Sequence, residues 1–416
     1  MCIAYDLISL SVSVRKIAII GGGAAGFFAA ISAKQHEPNA HVTIYEKSNK
    51  LLAKVKVSGG GRCNVTHACF EKSALAKFYP RGGKQLRKAF DQFYTQDTVD
   101  WFTNRGIDLK VEQDNRMFPT TDNSQTIIDT LMDECKRLGV RISLGSAIRR
   151  ISPQSEQLAL TIDNKETLFD KVIVATGGSP KKDGFNWLET LGHTIQNPVP
   201  SLFTFNMPKE KIKSLMGLSV PNATVRVQKT KLMQSGPLLI THWGMSGPAI
   251  LKTSAWGARL LCDLNYQFII HVNWLGEISE EAFKEKVNDH MQQYGKRLMR
   301  NKNPFLLPQR LWDYLLDRIA LDGDKPWMEI GKKGLNKLLN VLLNDQYEVS
   351  GKTTFKEEFV TCGGVSLSEI DFKTMQSKIC LGLFFAGEVL DIDGVTGGFN
   401  FQAAWTTGFI AGKHSE

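Results

Sequence analysis

Eleven residues near the start of the chain, Lys16 to Gly26 (KIAIIGGGAAG), constrain the fold more than any other segment. Lys16 to Ile20 is a short apolar run, the pattern of a strand buried on both faces of a parallel sheet. It runs directly into Gly21, Gly22, Gly23, Ala24, Ala25 and Gly26. A helical pattern rich in Ala and Phe follows from Phe27 to Gln35, and His41 to Tyr45 (HVTIY) reads as a second strand ending at Glu46. Strand, glycine turn, helix and strand within about 30 residues make one βαβ unit.

The spacing G-x-G-x-x-G is met by Gly21, Gly23 and Gly26. A tight turn needs the first glycine, close approach of a pyrophosphate to backbone needs the second, and helix–strand packing needs the third. The helix start then presents free N–H groups and a positive dipole end to phosphates. Glu46 sits 20 residues beyond Gly26 at a strand end, where a carboxylate accepts hydrogen bonds from ribose hydroxyls. This context predicts a dinucleotide site, against the alternative of a glycine turn that only packs. An acidic residue there disfavours a 2′-phosphate, so FAD or NAD is preferred to NADP.

Three further glycine clusters carry the same signal. Ser58 to Asn64 reads SGGGRCN, so Gly60 and Gly61 expose backbone N–H groups beside the fixed charge of Arg62. Cys63 has no placed His or second Cys to define thiol chemistry and is read as structural. Thr176, Gly177 and Gly178 follow a buried strand, Lys171 to Ala175 (KVIVA). Near the C-terminus, Gly387 and Glu388 follow the strand GLFF, and Gly397, Gly398, Phe399 and Asn400 open the last helix. A helix start aimed at a flavin would stabilise the reduced anion, and Glu388 is placed to accept from ribityl hydroxyls or else is a solvated loop carboxylate.

Charge is local. The chain has 416 residues and a net charge of +9. From Lys47 to Lys88 there are 11 Lys or Arg against one acidic residue, Glu71. Such a block favours an anionic ligand, a phosphate, a carboxylate or nucleic acid, or is a solvated helix face. A hydrophobic fraction of 42% supports a buried core and excludes wholesale disorder. No apolar run reaches the ~18 residues of a spanning helix, so no membrane role is expected. The seven Cys show no C-x-x-C, so neither a disulfide framework nor a zinc site is suggested, and a reducing cytoplasmic setting fits. Residues 1–15 lack a basic n-region and a small-residue cleavage pattern and read as an extension, not a signal peptide.

Along the chain, one helix is expected over 83–105 and another over 123–138, followed by a small meander from Val140 to Phe169. The character changes near Pro198. Strand-like pieces occupy 201–275, and charged helical patterns run from Ser279 to about Asn344. Strand and glycine character returns near Thr353. The predicted organisation is an extension (1–15), a nucleotide-binding domain from both chain ends (16–196 and 351–416), an inserted strand domain (197–275) and a helical subdomain (276–350). His242, in the insert segment THWGMSGP, could titrate near neutrality and is the weak catalytic candidate; a satisfied structural His is the commoner alternative.

These motifs together resemble the bacterial BaiN/aminoacetone-oxidase-like family of NAD(P)/FAD-dependent oxidoreductases. The carriers are GGGAAG at 21–26, SGGGRCN at 58–64, VIVATGG at 172–178, THWGMSGPAIL at 241–251 and the stretch from VTCGGVSL at 360 to GFNFQAAW at 405. The resemblance implies an α/β fold, a Rossmann-like FAD/NAD(P)-binding domain of glutathione-reductase or fumarate-reductase type, with an inserted β-barrel-like and helical domain. It implies FAD extended across the first domain, with Glu46 at the adenosine ribose, Lys47 beside it and the Ile148 backbone at adenine. Gly60 to Asn64 and Gly398 to Asn400 would surround the flavin. The chain departs at 179–186, where the family's longer loop is shortened to SPKKDGFN.

The leading functional expectation is hydride transfer between flavin N5 and a small organic substrate, anionic if the basic block binds it. NAD(P)H or oxygen would be the redox partner, although no second G-x-G-x-x-G marks a separate nicotinamide domain. The alternatives are an FAD-dependent RNA-modifying or RNA-binding protein, with Lys296 to Lys302 (KRLMRNK) and the 47–88 block at phosphates, and a flavin-binding protein without turnover.

Overall fold

The structure, a computed structural model, describes residues 14–354 and 360–415. Residues 1–13 of the expected N-terminal extension lie outside the described residues. The chain divides into two units. One contains the chain up to Pro198, Gly363–Ile392 and the segment from Gly397 onward; the other contains Val199–Cys362 and Asp393–Thr396. The return to the first unit therefore falls after Cys362, not near residue 350.

The first unit is built on a seven-stranded sheet. Lys16–Ile20 lies between His41–Tyr45 and Lys171–Val174, parallel to both. Arg141–Ser143 extends the parallel sheet on one side and Leu383–Phe385 on the other, and the short strands Gln376–Ser377 and Ile370–Asp371 add an antiparallel edge. Ile17, Ala18 and Ile19 are fully buried, which is why the first strand reads as an unbroken apolar run rather than an alternation.

The helix Ala24–His36 and the closing helix Phe399–Lys413 cross at backbone contact. A Cβ added at Gly408 would lie 2.6 Å from the Ala25 carbonyl oxygen, and one at Gly412 would lie 2.3 Å from that of Ala29. Small residues on both helices make this approach possible. Phe28, Trp101, Phe102 and Trp405 pack around the crossing.

Two expectations for this unit are corrected. Residues 83–105 form two helices, Gly83–Ala89 and Thr95–Thr103. The second is started by Asp97, whose carboxylate accepts from the Tyr94 N–H at 2.8 Å, while Phe90 and Phe93 both turn into the core. The segment after Val140 does not begin the meander, because Arg141–Ser143 joins the parallel sheet; the meander is Ile148–Gln154, Gln157–Ile162 and Lys165–Phe169.

Glu134, 7% exposed on the helix Ser124–Arg137, accepts from Arg137 at 2.8 Å and from Arg105 at 2.7 Å. Chiefly the Arg137 hydrogen bond, with Arg105 adding to it against burial, holds its carboxyl down from 4.5 to about 2. A depressed carboxylate stabilises the fold fully above its ordinary value and loses that contribution as pH falls through the folded value. A Glu134→Gln variant is therefore expected to be less stable than the parent near neutrality and to converge with it as pH falls from 4.5 to about 2. Melting temperature against pH measures this, and a constant gap down to the acid limit would contradict it.

The second unit is one antiparallel sheet with helices. The strand order is Asp345–Ser350, Gln267–Asn273, Ser219–Val227, Met233–Ile240, Gly244–Ser246, Thr204–Asn206 and Lys352–Thr353. The first and last of these are one chain segment. Asp345–Ser350 pairs with Gln267–Asn273, and after Gly351 (φ +104°) Lys352–Thr353 pairs with Thr204–Asn206. A strand that changes partner in this way closes the sheet into a small barrel. The helices Glu280–Tyr294, Gln309–Arg318 and Gly331–Leu343 do not form a separate subdomain: Phe283, Trp312 and Leu338 share a single core with Phe205, Val225 and Ile270.

No helix among the described residues is long and apolar enough to cross a membrane.

Candidate functional site

The glycines of the first turn divide by what surrounds them. A Cβ at Gly26 would lie 1.9 Å from the Gly21 carbonyl oxygen, and one at Gly21, whose φ is +115°, would lie 2.4 Å from that of Ala175. A Cβ at Gly22 would meet Leu51 at 2.5 Å. These three positions are close-packed. Gly23, the N-cap of the first helix, has nothing within 4 Å of an added Cβ. Its helix has no acidic residue in the first turn and no side-chain cap. Ala24 and Ala25 supply first-turn N–H groups, with Ala25 buried.

Glu46 stands at the end of the neighbouring strand. Its carboxylate accepts from the Gly22 N–H at 2.9 Å and from the Ser48 N–H at 2.8 Å. The two bonds fix the side chain beside the glycine turn. Lys47 is exposed. Ile148 is half-buried at the first position of its strand, next to a register shift. Thr176 is exposed, and Gly177, at φ +74°, also has nothing within 4 Å of an added Cβ.

SGGGRCN folds into a run of left-handed residues. Gly59, Gly60, Gly61 and Cys63 have φ between +58° and +85°, a conformation that glycine adopts without strain. Gly59 packs against Phe118, while Gly60 and Gly61 face open space. The Arg62 guanidinium is bonded to Glu112 at 2.6 Å and Asp122 at 3.4 Å and lies 4.0 Å over the Phe118 ring. Its charge is thus committed within the protein, and the backbone of this loop is the part left to a ligand. Cys63 is fully buried, and burial pushes its thiol up to about 12, so it stays protonated.

The C-terminal glycines join this loop. With its amide set so that both groups are satisfied, Asn64 donates to the Thr66 carbonyl oxygen at 2.9 Å and accepts from the Gly398 N–H at 3.0 Å. Gly398, at φ +94°, caps the closing helix, and a Cβ there would lie 2.6 Å from Thr66 backbone. Thr66 donates to Gln402 at 2.6 Å, and the Trp405 indole N–H donates to the Val65 carbonyl oxygen at 2.9 Å. Gly387 is pressed against Ala25, and Glu388 pairs with Lys54 at 2.6 Å. Asn400 is half-buried in the first turn of the helix, which holds no acidic residue.

An Asn64→Leu variant leaves the Gly398 N–H and the Thr66 carbonyl without these partners. An unsatisfied buried polar group costs about 1–3 kcal/mol. Flavin affinity of the apoprotein, titrated by fluorescence quenching, is expected to fall roughly tenfold or more, since about 1.4 kcal/mol is one decade. Unchanged affinity would remove Asn64 from the site.

One residue at this site is not legible in the sequence. The His67 ring lies 3.0 Å from the Gly397 carbonyl oxygen and 4.5 Å from the Phe399 ring, which stacks on Phe78 at 4.4 Å. Nothing in the spacing of TH at 66–67 marks it; its place depends on a partner 330 residues away. His242 belongs to the second unit, where it is exposed and edge-on to Trp243 at 4.3 Å. The shortened segment at 179–186 folds into a turn at Lys182–Phe185 that buries Phe185.

The glycine set tests the fit to FAD. The positions that must pack are filled to contact, and the positions that must admit a ligand, Gly23, Gly60, Gly61 and Gly177, are open. All belong to the first unit: Gly23 and Gly177 follow parallel strands, and Gly60 and Gly61 end the helical segment Ala53–Gly61. The residues present fit a dinucleotide with a flavin.

Such a fold and site define a flavoprotein oxidoreductase with a Rossmann-type FAD-binding domain. The chain belongs to the family described as HI0933-like protein Rossmann domain, which matches residues 15–414. It is 25% identical to the 3-dehydro-bile acid delta(4,6)-reductase of Clostridium scindens, over 96% of this chain and 98% of that protein. It is 28% identical to the ribosomal RNA dihydrouridine synthase of Escherichia coli, over 95% and 96% respectively. Among solved structures it resembles a 3-ketosteroid-delta4-(5alpha)-dehydrogenase from Rhodococcus jostii, with a TM-score of 0.50, 11% identity and 98% of each chain covered. That likeness shows the fold alone.

Proposed function

We propose that this FAD-dependent oxidoreductase reduces a carbon–carbon double bond conjugated to a carbonyl, with NADPH or NADH as electron donor. The observation that carries the reading is the open glycine row at Gly23, Gly60, Gly61 and Gly177, set among glycines packed to contact. The relatives supply the substrate class. A delta(4,6)-reductase of a 3-dehydro-bile acid and a dihydrouridine synthase both carry, in their names, the addition of hydrogen to a double bond conjugated to a carbonyl.

FAD bound here would supply the hydride at its N5 position. The chain's own residues do the holding and the charge work. The first-turn N–H groups after Gly23 would bind the pyrophosphate. Glu46 would accept from the adenosine ribose hydroxyls, with Lys47 and the Ile148 backbone at its flank. The N–H groups of Gly60 and Gly61 would line the flavin, and Glu388 would accept from ribityl hydroxyls. The positive end of the Phe399–Lys413 helix would favour negative charge on the reduced ring. His67 and His242 are the imidazoles to test as the donor of the proton that goes to the carbon next to the carbonyl.

The test is anaerobic. NADPH or NADH is added to the yellow protein until the colour bleaches, and a cyclic enone is then offered. Recovery of colour with formation of the saturated ketone is expected. If enones leave the flavin reduced while only oxygen restores the colour, the protein is an oxidase and the proposal fails. A His67→Gln or His242→Gln variant that keeps flavin reduction but loses the alkaline limb of the kcat profile would locate the proton donor.

A further inference from the structure

We propose that the helices Lys72–Ala76 and Gly83–Ala89 form a docking surface for the backbone of single-stranded RNA. The proposal rests on the reading that the substrate is a conjugated double bond, because a uracil ring contains one.

The structure sorts the basic block of 47–88 into two parts. In the first part three cations have partners, while Lys47 and Lys50 are exposed: Lys54 pairs with Glu388, Lys56 donates to Gln125 at 2.8 Å, and Arg62 is held by Glu112 and Asp122. Lys72 pairs with Asp91 at 3.1 Å. In the second part Lys77, Lys84, Arg87 and Lys88 are all exposed, and none makes an ion pair or hydrogen bond among the described residues. No acidic residue occurs from Lys72 to Phe90. Glu71, on which Lys77 acts electrostatically, is engaged in capping, accepting from the Ser73 N–H at 2.9 Å and from the Ala74 N–H.

Position strengthens the case. Lys84, Arg87 and Lys88 are spaced i, i+3 and i+4 and share one helix face, while Leu86 and Ala89 bury the other. The two helices pack on each other through Gly83, where a Cβ would lie 2.4 Å from the Ala76 carbonyl oxygen. Lys77 precedes Phe78, whose ring stacks on Phe399, the residue that follows Gly398. The basic surface thus adjoins the glycine site within the same unit. Phe70, 48% exposed, lies just before the first helix and offers an aromatic face. Unpaired cations beside exposed aromatics are what a single strand uses, phosphates along the cations and bases on the rings. A small carboxylate would engage one cation and leave the others idle.

The test uses the flavin-loaded full chain. A fluorescent oligouridine is titrated by anisotropy over a range of salt. The combined variant K77A/K84A/R87A/K88A is compared with the parent and with K332A/K333A, exposed lysines of the second unit. Each phosphate contact contributes about 0.7 to the salt slope of single-strand binding. The combined variant is expected to lose roughly 2–3 from that slope and at least about tenfold in affinity at moderate salt. Flavin content, melting temperature and turnover of a small enone should stay at parental values. Should the combined variant fold poorly, Arg87→Glu alone is expected to weaken binding severalfold and lower the slope by about one.

Absence of RNA binding by the parent overturns the proposal, and so does an equal loss in K332A/K333A. Binding to phosphatidylglycerol vesicles through the same residues without RNA binding also overturns it, in favour of a lipid surface. Failure of enone turnover with the RNA effects intact would instead remove the proposed reaction and leave the docking surface standing.

Discussion

A Gly26→Ala variant is expected to accumulate poorly, melt well below the parent and emerge without flavin. The added methyl would sit 1.9 Å from the Gly21 carbonyl oxygen and 3.1 Å from its carbon. Neither is the movable end of a side chain. Relief requires the first strand and the first helix to separate, and Ile19, whose Cγ2 would be 3.5 Å away, blocks one direction. Overpacking a core costs about 1–3 kcal/mol, and more where backbone must move; this case belongs at or above the upper figure. Gly23→Ala separates folding from binding. Its φ of −95° suits alanine, and nothing lies within 4 Å of the added Cβ. Apoprotein stability should stay within about 0.5 kcal/mol, while FAD affinity falls roughly tenfold or more, about 1.4 kcal/mol. Thermal denaturation and flavin titration of the two variants decide the matter. Equal affinity of Gly23→Ala and the parent would mean that no ligand approaches that backbone.

The second large effect is expected in the barrel unit, from Asp345→Ala. Asp345 is 4% exposed and serves three donors. The Trp274 indole N–H reaches it at 3.0 Å, Arg318 Nε at 3.0 Å, and the Tyr347 hydroxyl also donates to it. Arg318 lies over the Tyr347 ring at 4.7 Å and is exposed. Arg318 reaches solvent, so its lost pairing costs little, and most of the loss comes from buried donors left without an acceptor, about 1–3 kcal/mol each. Here an indole N–H and a phenol lose their acceptor. Asp345→Asn keeps an oxygen for Trp274 but drops the charge, so its loss should be smaller. Urea midpoints of the two variants measure the difference. Equal losses would show that charge, not hydrogen bonding, holds this cluster.

Between them these two sites show how unequally the molecule announces itself. Gly26 is legible in the sequence because its constraint is local: strand, turn and helix are consecutive, and spacing alone states which glycine packs and which stays open. The helix expected over 123–138 is legible in the same way, and the structure assigns its cap to Asn123, whose side chain accepts from the Gln125 N–H. Asp345 is not legible. It lies at the start of a strand in an ordinary polar stretch, and its partners come from positions 274, 318 and 347. A change of pattern marks Pro198 in the sequence, whereas nothing marks the return after Cys362, because Lys352–Thr353 pairs with a strand about 150 residues earlier. The break between Ala89 and Thr95 is not legible because the apolar spacing continues through it; the Asp97 cap that starts the new helix competes with the hydrophobic pattern and wins.

The sequence by itself determined the dinucleotide turn, the parallel strands beneath it, the glycine clusters that return to it and the local excess of positive charge. Each of these is written in neighbouring residues, through periodicity, backbone freedom or simple counting. Only the tertiary structure decided which charges remain available. Arg62 and Lys54 are counted with the rest of the basic block in a list of residues, yet carboxylates 50 to 334 positions away hold them, while Lys84, Arg87 and Lys88 form no ion pair among the described residues. Availability of a charge depends on what lies within a few ångströms of it, and chain distance does not encode that.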